Sequence, residues 1–130
     1  MNKICTDIKQ SKKLIELGID ISTADMHYST WTILNEGEYI LSPNQGETIE
    51  KLQEDYGNQI IPAWSLTALL EILPKFIGDY GKCLYFDVGG YYCAYMVDGD
   101  FMITINETNA DNPIDACYEM IIELKENNIL

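Results

Sequence analysis

Residues 82–106 read KCLYFDVGGYYCAYMVDGDFMITIN, and this stretch decides the fold. It consists of three apolar runs separated by Gly89-Gly90 and Asp98-Gly99, which are dipeptides typical of two-residue turns with positive backbone φ. The pattern predicts a three-stranded antiparallel meander over about 82–106. With both dipeptides as the turns, the register sets four pairs opposite each other: Val88 and Tyr91, Phe86 and Cys93, Val97 and Asp100, and Tyr95 and Met102.

The two faces of the predicted meander are both apolar, which is more than a small single-layer core requires. The strand alternation puts Cys83 and Cys93 on opposite faces, so these two cysteines cannot form a disulfide in this register. Buried aromatic packing would account for the dense tyrosines. Alternatively, one face is a contact surface for a second copy of the chain or for another protein, because Tyr and Met are enriched at interfaces.

The flanking sequence predicts helices and a hairpin around this meander. Capping residues, glycine stops and apolar spacing indicate where each element begins and ends. The predicted elements are a helix over about 7–17 capped by Thr6 or Asp7, a hairpin of WTIL and EYIL around Asn35-Glu36-Gly37, a helix in GETIEKLQEDYG, extended IIPAW, a helix from Ser65 to Pro74, and a final helix capped by Asn112 with a stripe of Ile114, Cys117, Ile121 and Leu124. We therefore predict a single α+β domain over residues 1–130, with a mostly antiparallel sheet and about four helices.

The charge of the chain is strongly negative. Its 130 residues contain eight lysines, no arginine and 21 acidic residues, a net charge of −13, and residues 21–130 alone carry −14. An acidic surface repels phosphate backbones, and without arginine there is no bidentate donor for phosphate or guanine. The composition therefore argues against nucleic acid as a partner. It fits either simple solubility or an acidic face that docks on a basic protein.

The sequence also indicates the compartment. The N-terminus lacks the apolar region of a secretory signal, and no run approaches the length of a membrane-spanning helix. Four cysteines without a CxxC pair, and a single histidine, do not form a zinc pattern. We expect a cytoplasmic protein with reduced cysteines, no metal site, no cofactor and no membrane association.

His27 is the only histidine, and Asp25 lies on its side of the chain if this segment is a strand. A cysteine nucleophile with His27 as its base would be an enzyme site, but the sequence offers no third group to orient them. We assign no catalytic residue and favour a structural or surface role for His27. As an alternative function, the chain would bind a ligand in a pocket lined by Trp31, Trp64 and the meander tyrosines.

Four segments carry a resemblance to a known family: CTDIKQSKKLIELGI, STADMHY, IPAWSLTALLEILP and DNPIDACYEMIIELKENNIL. In their order along nearly the whole chain, they resemble a family of small proteins of unknown function encoded by gut anaerobic bacteria and by their phages and mobile elements. The resemblance implies a genetic setting but no activity, cofactor or site residue. Small acidic proteins of phages often bind host proteins, and this analogy favours a binding role.

We therefore expect a non-enzymatic, acidic binding or regulatory protein that acts on a protein partner, with self-association through the tyrosine-rich sheet as a further possibility. The alternative is a protein that binds a small molecule or nucleotide signal, and a small enzyme that uses His27 is a third. The residues predicted to form the ligand or partner surface are Tyr85, Tyr91, Tyr92, Tyr95, Trp31, Trp64, His27 and Asp25.

Overall fold

The computed structural model describes residues 3–30, 39–97 and 100–130, with the backbone alone at Asn58 and at 100–103. The described residues form four α-helices and two antiparallel sheets, which confirms the predicted α+β class. The chain divides into two compact units, Cys5–Ala68 and Met1–Ile4 with Leu69–Leu130. Each unit is described by itself below, and the assignment to one domain stays a prediction.

The first unit contains a three-stranded sheet with β1 at its centre. Its order is β2-β1-β3, and both pairings are antiparallel. The elements of this unit are α1 (Ile8–Glu16), β1 (Met26–Thr30), β2 (Tyr39–Pro43), α2 (Ile49–Tyr56), β3 (Ile60–Ala63) and two short 3-10 helices, Ile21–Thr23 and Gly57–Gln59.

In the first unit the structure has the predicted cap of α1 and the predicted stop of α2, and α2 begins at a cap that was not predicted, Thr48. The Asp7 carboxylate accepts from the Gln10 backbone N–H at 2.8 Å, and the Gln10 side chain accepts from the Asp7 N–H at 3.0 Å, which is a capping box. The Thr48 hydroxyl accepts from the Lys51 N–H at 3.1 Å at the start of α2. Gly57, with φ at +60°, ends α2 in a backbone region that favours glycine. These local predictions are confirmed.

The predicted hairpin is described in part. β1 and β2 pair antiparallel with His27 opposite Ser42, and β1 lies earlier in the chain than the predicted WTIL strand. Residues 31–38, which include all of WTIL with Trp31 and the predicted turn, lie outside the described residues.

A network of polar contacts joins the start of the first unit to the end of β3. Thr6 and Trp64 exchange two hydrogen bonds, from the Thr6 N–H to the Trp64 carbonyl at 2.9 Å and from the Trp64 N–H to the Thr6 hydroxyl at 3.1 Å. The indole Nε1 of Trp64 donates to the Thr23 hydroxyl at 2.9 Å, and the Tyr28 hydroxyl donates to the Thr6 carbonyl at 2.8 Å. Thr6 and Trp64 are fully buried, so these bonds satisfy groups that water cannot reach.

The second unit contains a four-stranded antiparallel sheet in the order β4-β5-β6-β7. Helix α3, Leu66–Ile72, leads into this unit, and the Ser65 hydroxyl accepts from the Ala68 N–H at 3.3 Å at its start, as predicted. The helix ends before Pro74, which has no backbone N–H to continue it. The strands and final helix are β4 (Phe76–Ile77), β5 (Tyr80–Asp87), β6 (Gly90–Val97), β7 (Asp100–Ala110) and α4 (Pro113–Glu126).

The register of the first meander hairpin differs from the prediction by two residues. Phe86 pairs with Tyr91 and Asp87 with Gly90, so the turn is Val88-Gly89 rather than Gly89-Gly90. Gly90 is already the first residue of β6, with φ at +114°, and a Cβ there would lie 2.7 Å from the Ala110 carbonyl oxygen. Because the shift is even, each side chain keeps its predicted face, and Cys83 and Cys93 remain on opposite faces.

In the second hairpin, the predicted pairing is correct next to the turn and incorrect farther from it. Val97 pairs with Asp100 as expected, but Tyr95 pairs with Asn106 rather than with Met102. The register shifts on both sides of Met96, where β7 carries extra residues that have no partner on β6. Such bulges displace the pairing of every residue that follows them.

Helix α4 packs on β6 and β7, and its buried stripe contains the four predicted residues. The Asn112 side chain accepts from the Asp115 N–H at 2.8 Å, and Pro113 occupies the first helical position. The Thr108 hydroxyl donates to the Ala116 carbonyl at 2.6 Å, which joins the helix to β7. No helix among the described residues is long and apolar enough to cross a membrane.

Gly89, in the first meander turn, and Gly90, at the start of β6, should respond differently to substitution. We expect Gly90→Ala to lower the free energy of unfolding by about 1–3 kcal/mol, because alanine disfavours the positive φ and its Cβ would contact the backbone of Ala110. We expect a smaller loss for Gly89→Ala, whose Cβ would meet the movable end of Tyr92. Urea unfolding measures both, and equal losses would contradict the observed register.

Candidate functional site

A pocket of about 380 Å³ lies in the first unit, beside one end of the β1–β2 pair. Its wall combines strand residues, the turn after β2, and residues of α2 and of the segment that follows it. The lining residues are His27, Ser29, Thr30, Ser42, Pro43, Asn44, Gln45, Glu47, Leu52, Tyr56, Gln59 and Ile60. We call this space the His27 pocket.

His27 is positioned by the centre of the sheet. It lies on β1 between two paired strands, opposite Ser42 on one side and Pro62 on the other. Strand alternation puts Ser29 on its face of the sheet. The side chain is nine-tenths buried, and it nevertheless lines the pocket. A buried imidazole needs hydrogen-bond partners. The partner of Nδ1 is Asn44, in the turn that follows β2.

Asn44 holds His27 in one orientation. The Asn44 backbone N–H donates to the Asp25 carbonyl at 3.1 Å, and its side-chain Nδ2 donates to the Ala24 carbonyl at 2.9 Å. Because a carbonyl can only accept, this contact fixes which end of the amide is the oxygen. Asn44 Oδ1 therefore faces His27 Nδ1, at 2.9 Å.

The contact with Asn44 selects one tautomer of the neutral imidazole. Asn44 Oδ1 has no hydrogen to give, so His27 Nδ1 carries the proton and donates it. Nε2, the other ring nitrogen, is then an acceptor with a free lone pair. His27 can thus accept a hydrogen bond at Nε2.

The turn after β2 brings two more polar residues to the pocket. The Glu47 N–H donates to the Asn44 carbonyl at 3.1 Å, which closes a four-residue turn. Gln45 and Gly46 have φ values of +53° and +84°, the signature of a type I′ turn. Positive φ is uncommon for a residue with a side chain, and Gln45 adopts it where it lines the pocket.

Thr30 contributes a buried hydroxyl that is not satisfied by the described part of the chain. Its Oγ1 has essentially no accessible surface and no hydrogen-bond partner among the described residues. A buried polar group without a partner costs about 1–3 kcal/mol. Other atoms of Thr30 line the His27 pocket, while Oγ1 itself has no surface open to it.

The opposite wall of the pocket is less polar. Leu52 of α2 is buried, and Tyr56, at the end of the same helix, is half exposed. Gln59 and Ile60 continue the wall into β3. Among the described lining residues Glu47 is the only carboxylate, and none is a lysine.

The Asp25 carboxylate and the Cys5 thiol have hydrogen-bond partners other than His27. The Asp25 carboxylate accepts from the Ser65 N–H at 2.9 Å and contacts the Ser65 hydroxyl, so it supports the start of α3 rather than His27. Cys5 Sγ lies 3.6 Å from the Tyr28 hydroxyl. No cysteine is among the described residues that line the pocket, so the postulated pairing of His27 with a cysteine or with Asp25 is not formed there.

The four meander tyrosines do not share a surface. Tyr85 and Tyr92 stack on one face with ring centres 5.0 Å apart, whereas Tyr91 packs against Phe86 on the other face. Tyr95 is fully buried and its hydroxyl donates to the Pro74 carbonyl at 2.6 Å. Burial raises the pKa of Tyr95. The prediction of an exposed tyrosine surface is therefore wrong for Tyr95.

Trp64 is likewise not a surface residue. It is completely buried, and its indole N–H is satisfied by Thr23. The predicted pocket of tryptophans and meander tyrosines thus loses Trp64 and Tyr95, while Trp31 lies outside the described residues.

Two cysteines of the second unit are buried together. Cys93 on β6 and Cys117 on α4 are both fully buried. A hydrogen bond to Cys117 and burial raise the pKa of the Cys93 thiol, which keeps it protonated. Among the described residues there is no group of three or more His, Cys, Asp or Glu that could hold a metal ion.

The sequence interpretation missed Asn44, Gln45 and Thr30. An Asn-x-Gly segment directly after a strand is a turn signal, and Asn44-Gln45-Gly46 has this form. The signal indicates a turn, but it does not reveal that Asn44 reaches back to Ala24 and His27, because those contacts depend on the pairing of β1 with β2.

The chain matches no protein-family model, no curated protein and no solved structure at a significant level. The resemblance to a family of small bacterial and phage proteins therefore stays a prediction, and the residues of the pocket carry the functional interpretation.

The hydrogen bond between Asn44 and His27 predicts a measurable tautomer. We expect long-range ¹H–¹⁵N correlation spectra of the neutral imidazole to show a protonated Nδ1 and an unprotonated Nε2 in the wild type. Asn44→Ala removes the acceptor and should give a mixture of the two tautomers.

Gln45→Gly is the matched control, because it deletes a neighbouring pocket side chain and suits the positive φ of that position. It should keep the wild-type pattern. A wild-type spectrum dominated by protonated Nε2 would contradict the assigned orientation of Asn44.

Proposed function

We propose that this protein binds a small polar molecule in the His27 pocket. The observation that carries the proposal is the contact between Asn44 Oδ1 and His27 Nδ1, which makes Nε2 the acceptor nitrogen of a histidine that lines a cavity. A buried histidine held in one tautomer by a part-buried asparagine fits a recognition site, where a few oriented polar groups provide specificity.

The size and composition of the pocket support this proposal. Its volume of about 380 Å³ lies in the range of about 300–1,000 Å³ found for small-molecule sites. Leu52 and Ile60 supply apolar surface, while Ser29 and Gln59 add hydrogen-bonding groups. The unsatisfied Thr30 hydroxyl and the positive φ of Gln45 are the kinds of local cost that proteins retain at functional sites.

The contacts of His27 favour binding over catalysis. Nucleophilic catalysis needs a hydrogen bond from a serine or cysteine to its base, and that base is in turn oriented by a third group. Asn44 fills the orienting role, but the described hydrogen bond of His27 goes to Asn44 and not to a nucleophile. We therefore infer a binding protein that uses His27 as a recognition residue.

Thermal-shift screening against amines, alcohols, carboxylic acids and nucleosides tests the proposal. A ligand at 100 times its dissociation constant should raise the stability by about 2.7 kcal/mol and shift the NMR signals of His27, the only histidine. Gln59→Trp narrows the pocket and should abolish the stabilisation. Gln53→Trp, at an α2 residue outside the lining, is the matched control and should keep it.

Two results would contradict the proposal. One is a set of stabilising ligands that leave the His27 signals unchanged, and the other is stabilisation that survives Gln59→Trp. A screen without any stabilising compound would also count against it.

We propose, as a second candidate, that the turn between β5 and β6 contacts a protein with a basic surface. Phe86 and Val88 are 69% and 103% exposed, and the carboxylate of Asp87 lies between them in the chain. Exposed apolar side chains beside an acidic one, in a chain of net charge −13, favour a partner with apolar and basic groups. This proposal keeps the expectation of an acidic binding protein that serves as an accessory factor of a phage or mobile element.

The partner proposal predicts salt-sensitive capture that depends on Phe86. A basic protein recovered at low salt should be lost at 0.5 M NaCl and lost with Phe86→Ser. The matched control is Phe76→Ser, which removes another exposed phenylalanine from the same sheet and should retain the partner. Capture that does not depend on Phe86, or light scattering that shows self-association through this turn instead, would overturn it.

A further inference from the structure

We propose that the His27 pocket selects small organic cations, namely molecules that carry a primary ammonium or a guanidinium group. This inference rests on the proposed binding function and specifies its ligand class. It depends on three properties of the pocket, which are its charge, the polarity of its hydrogen-bonding groups and the aromatic residue in its wall.

The charge of the pocket disfavours anions. Glu47 supplies a carboxylate, and no lysine is found among the described residues that line the pocket. By sequence, residues 5–68 carry four lysines and ten acidic residues, a net charge of −6. The field of this unit therefore attracts cations and repels carboxylates and phosphates.

The hydrogen-bonding groups of the pocket favour a ligand that donates. With Nδ1 occupied by Asn44, the remaining ring nitrogen of neutral His27 accepts and cannot donate. Glu47 also only accepts. An ammonium or guanidinium group has several N–H donors and no acceptor, so its hydrogen-bonding character complements both residues. The oxygens of a carboxylate ligand are acceptors too, so they could not form hydrogen bonds with the acceptor atoms of His27 and Glu47.

Tyr56 supplies an aromatic wall for the cation. It lines the pocket from the end of α2, and about half of its surface is exposed. The face of a tyrosine ring attracts ammonium and guanidinium groups, whereas it offers no comparable attraction to an anion.

Three probes with one scaffold test the inference: benzylamine, benzyl alcohol and benzoate. Each is titrated into the full chain while the imidazole signals of His27 are followed by NMR. We expect benzylamine to bind most tightly, benzyl alcohol more weakly, and benzoate not at all. Raising the salt to 0.5 M should weaken benzylamine and leave benzyl alcohol unchanged, because screening affects only the charged probe.

Glu47→Gln removes the carboxylate of the pocket and keeps its shape. Because Glu47 is exposed, we expect a loss of about two- to fivefold in benzylamine affinity, the effect of one exposed ion pair, and no change for benzyl alcohol. Glu54→Gln changes the net charge by the same amount on α2, outside the pocket lining. It is the matched control and should leave both affinities within twofold of the wild type.

The outcomes separate this inference from the proposed function. Benzyl alcohol or benzoate binding at His27 as tightly as benzylamine would overturn the selection for cations and leave small-molecule binding intact. Equal effects of Glu47→Gln and Glu54→Gln would show only a general charge effect and would also overturn it. If none of the three probes perturbs His27, the inference fails, while the wider ligand screen still decides the proposed function.

Discussion

The side-chain amide of Asn44 is the constraint on which the site depends. Its two ends differ, and the Ala24 carbonyl accepts only from the NH₂ end, at 2.9 Å. The oxygen is consequently directed at His27 Nδ1. The position of the imidazole proton thus depends on the hydrogen bond between Asn44 and Ala24, in which His27 takes no part. Turning the amide over would break the hydrogen bond to Ala24 and would require the opposite tautomer of His27. The pairing of β1 with β2 therefore determines the chemistry of a side chain inside the sheet.

The elements that the sequence predicted well are those set by near neighbours. The capping box of Asp7 and Gln10, the stop at Gly57 and the stripe of α4 each involve residues within a few positions of one another. The register of the first meander hairpin was predicted incorrectly for the opposite reason. Gly90 is required by the carbonyl of Ala110, twenty residues further along, and a turn dipeptide carries no information about that contact. The bulge near Tyr95 likewise arises from the length of β7 rather than from its turn.

The candidate site was predicted in part. His27 was singled out because it is the only histidine, and it does line a pocket. Its expected companion, Asp25, was chosen for its proximity in the chain, but the carboxylate binds Ser65, forty residues away, and Asn44 takes the orienting role. Trp64 and Tyr95 show the same limit. Their polar atoms find hydrogen-bond partners in Thr23 and Pro74 while the rings are buried, so a high aromatic content does not reveal which rings are exposed.

The net charge of −13 and the tautomer of His27 act at different ranges. The charge of the whole chain produces a field that screening confines to about 8 Å at physiological salt, and this field distinguishes cations from anions without regard to shape. The acceptor at Nε2 acts only at contact and distinguishes a donor from an acceptor. Without Asn44, the imidazole could present either character, and the contact would no longer discriminate. Burying an amide and an imidazole costs desolvation, and the two offset part of that cost in their mutual hydrogen bond. The pair of Asn44 and His27 therefore adds to the acidic field one nitrogen, Nε2, that is fixed as a hydrogen-bond acceptor.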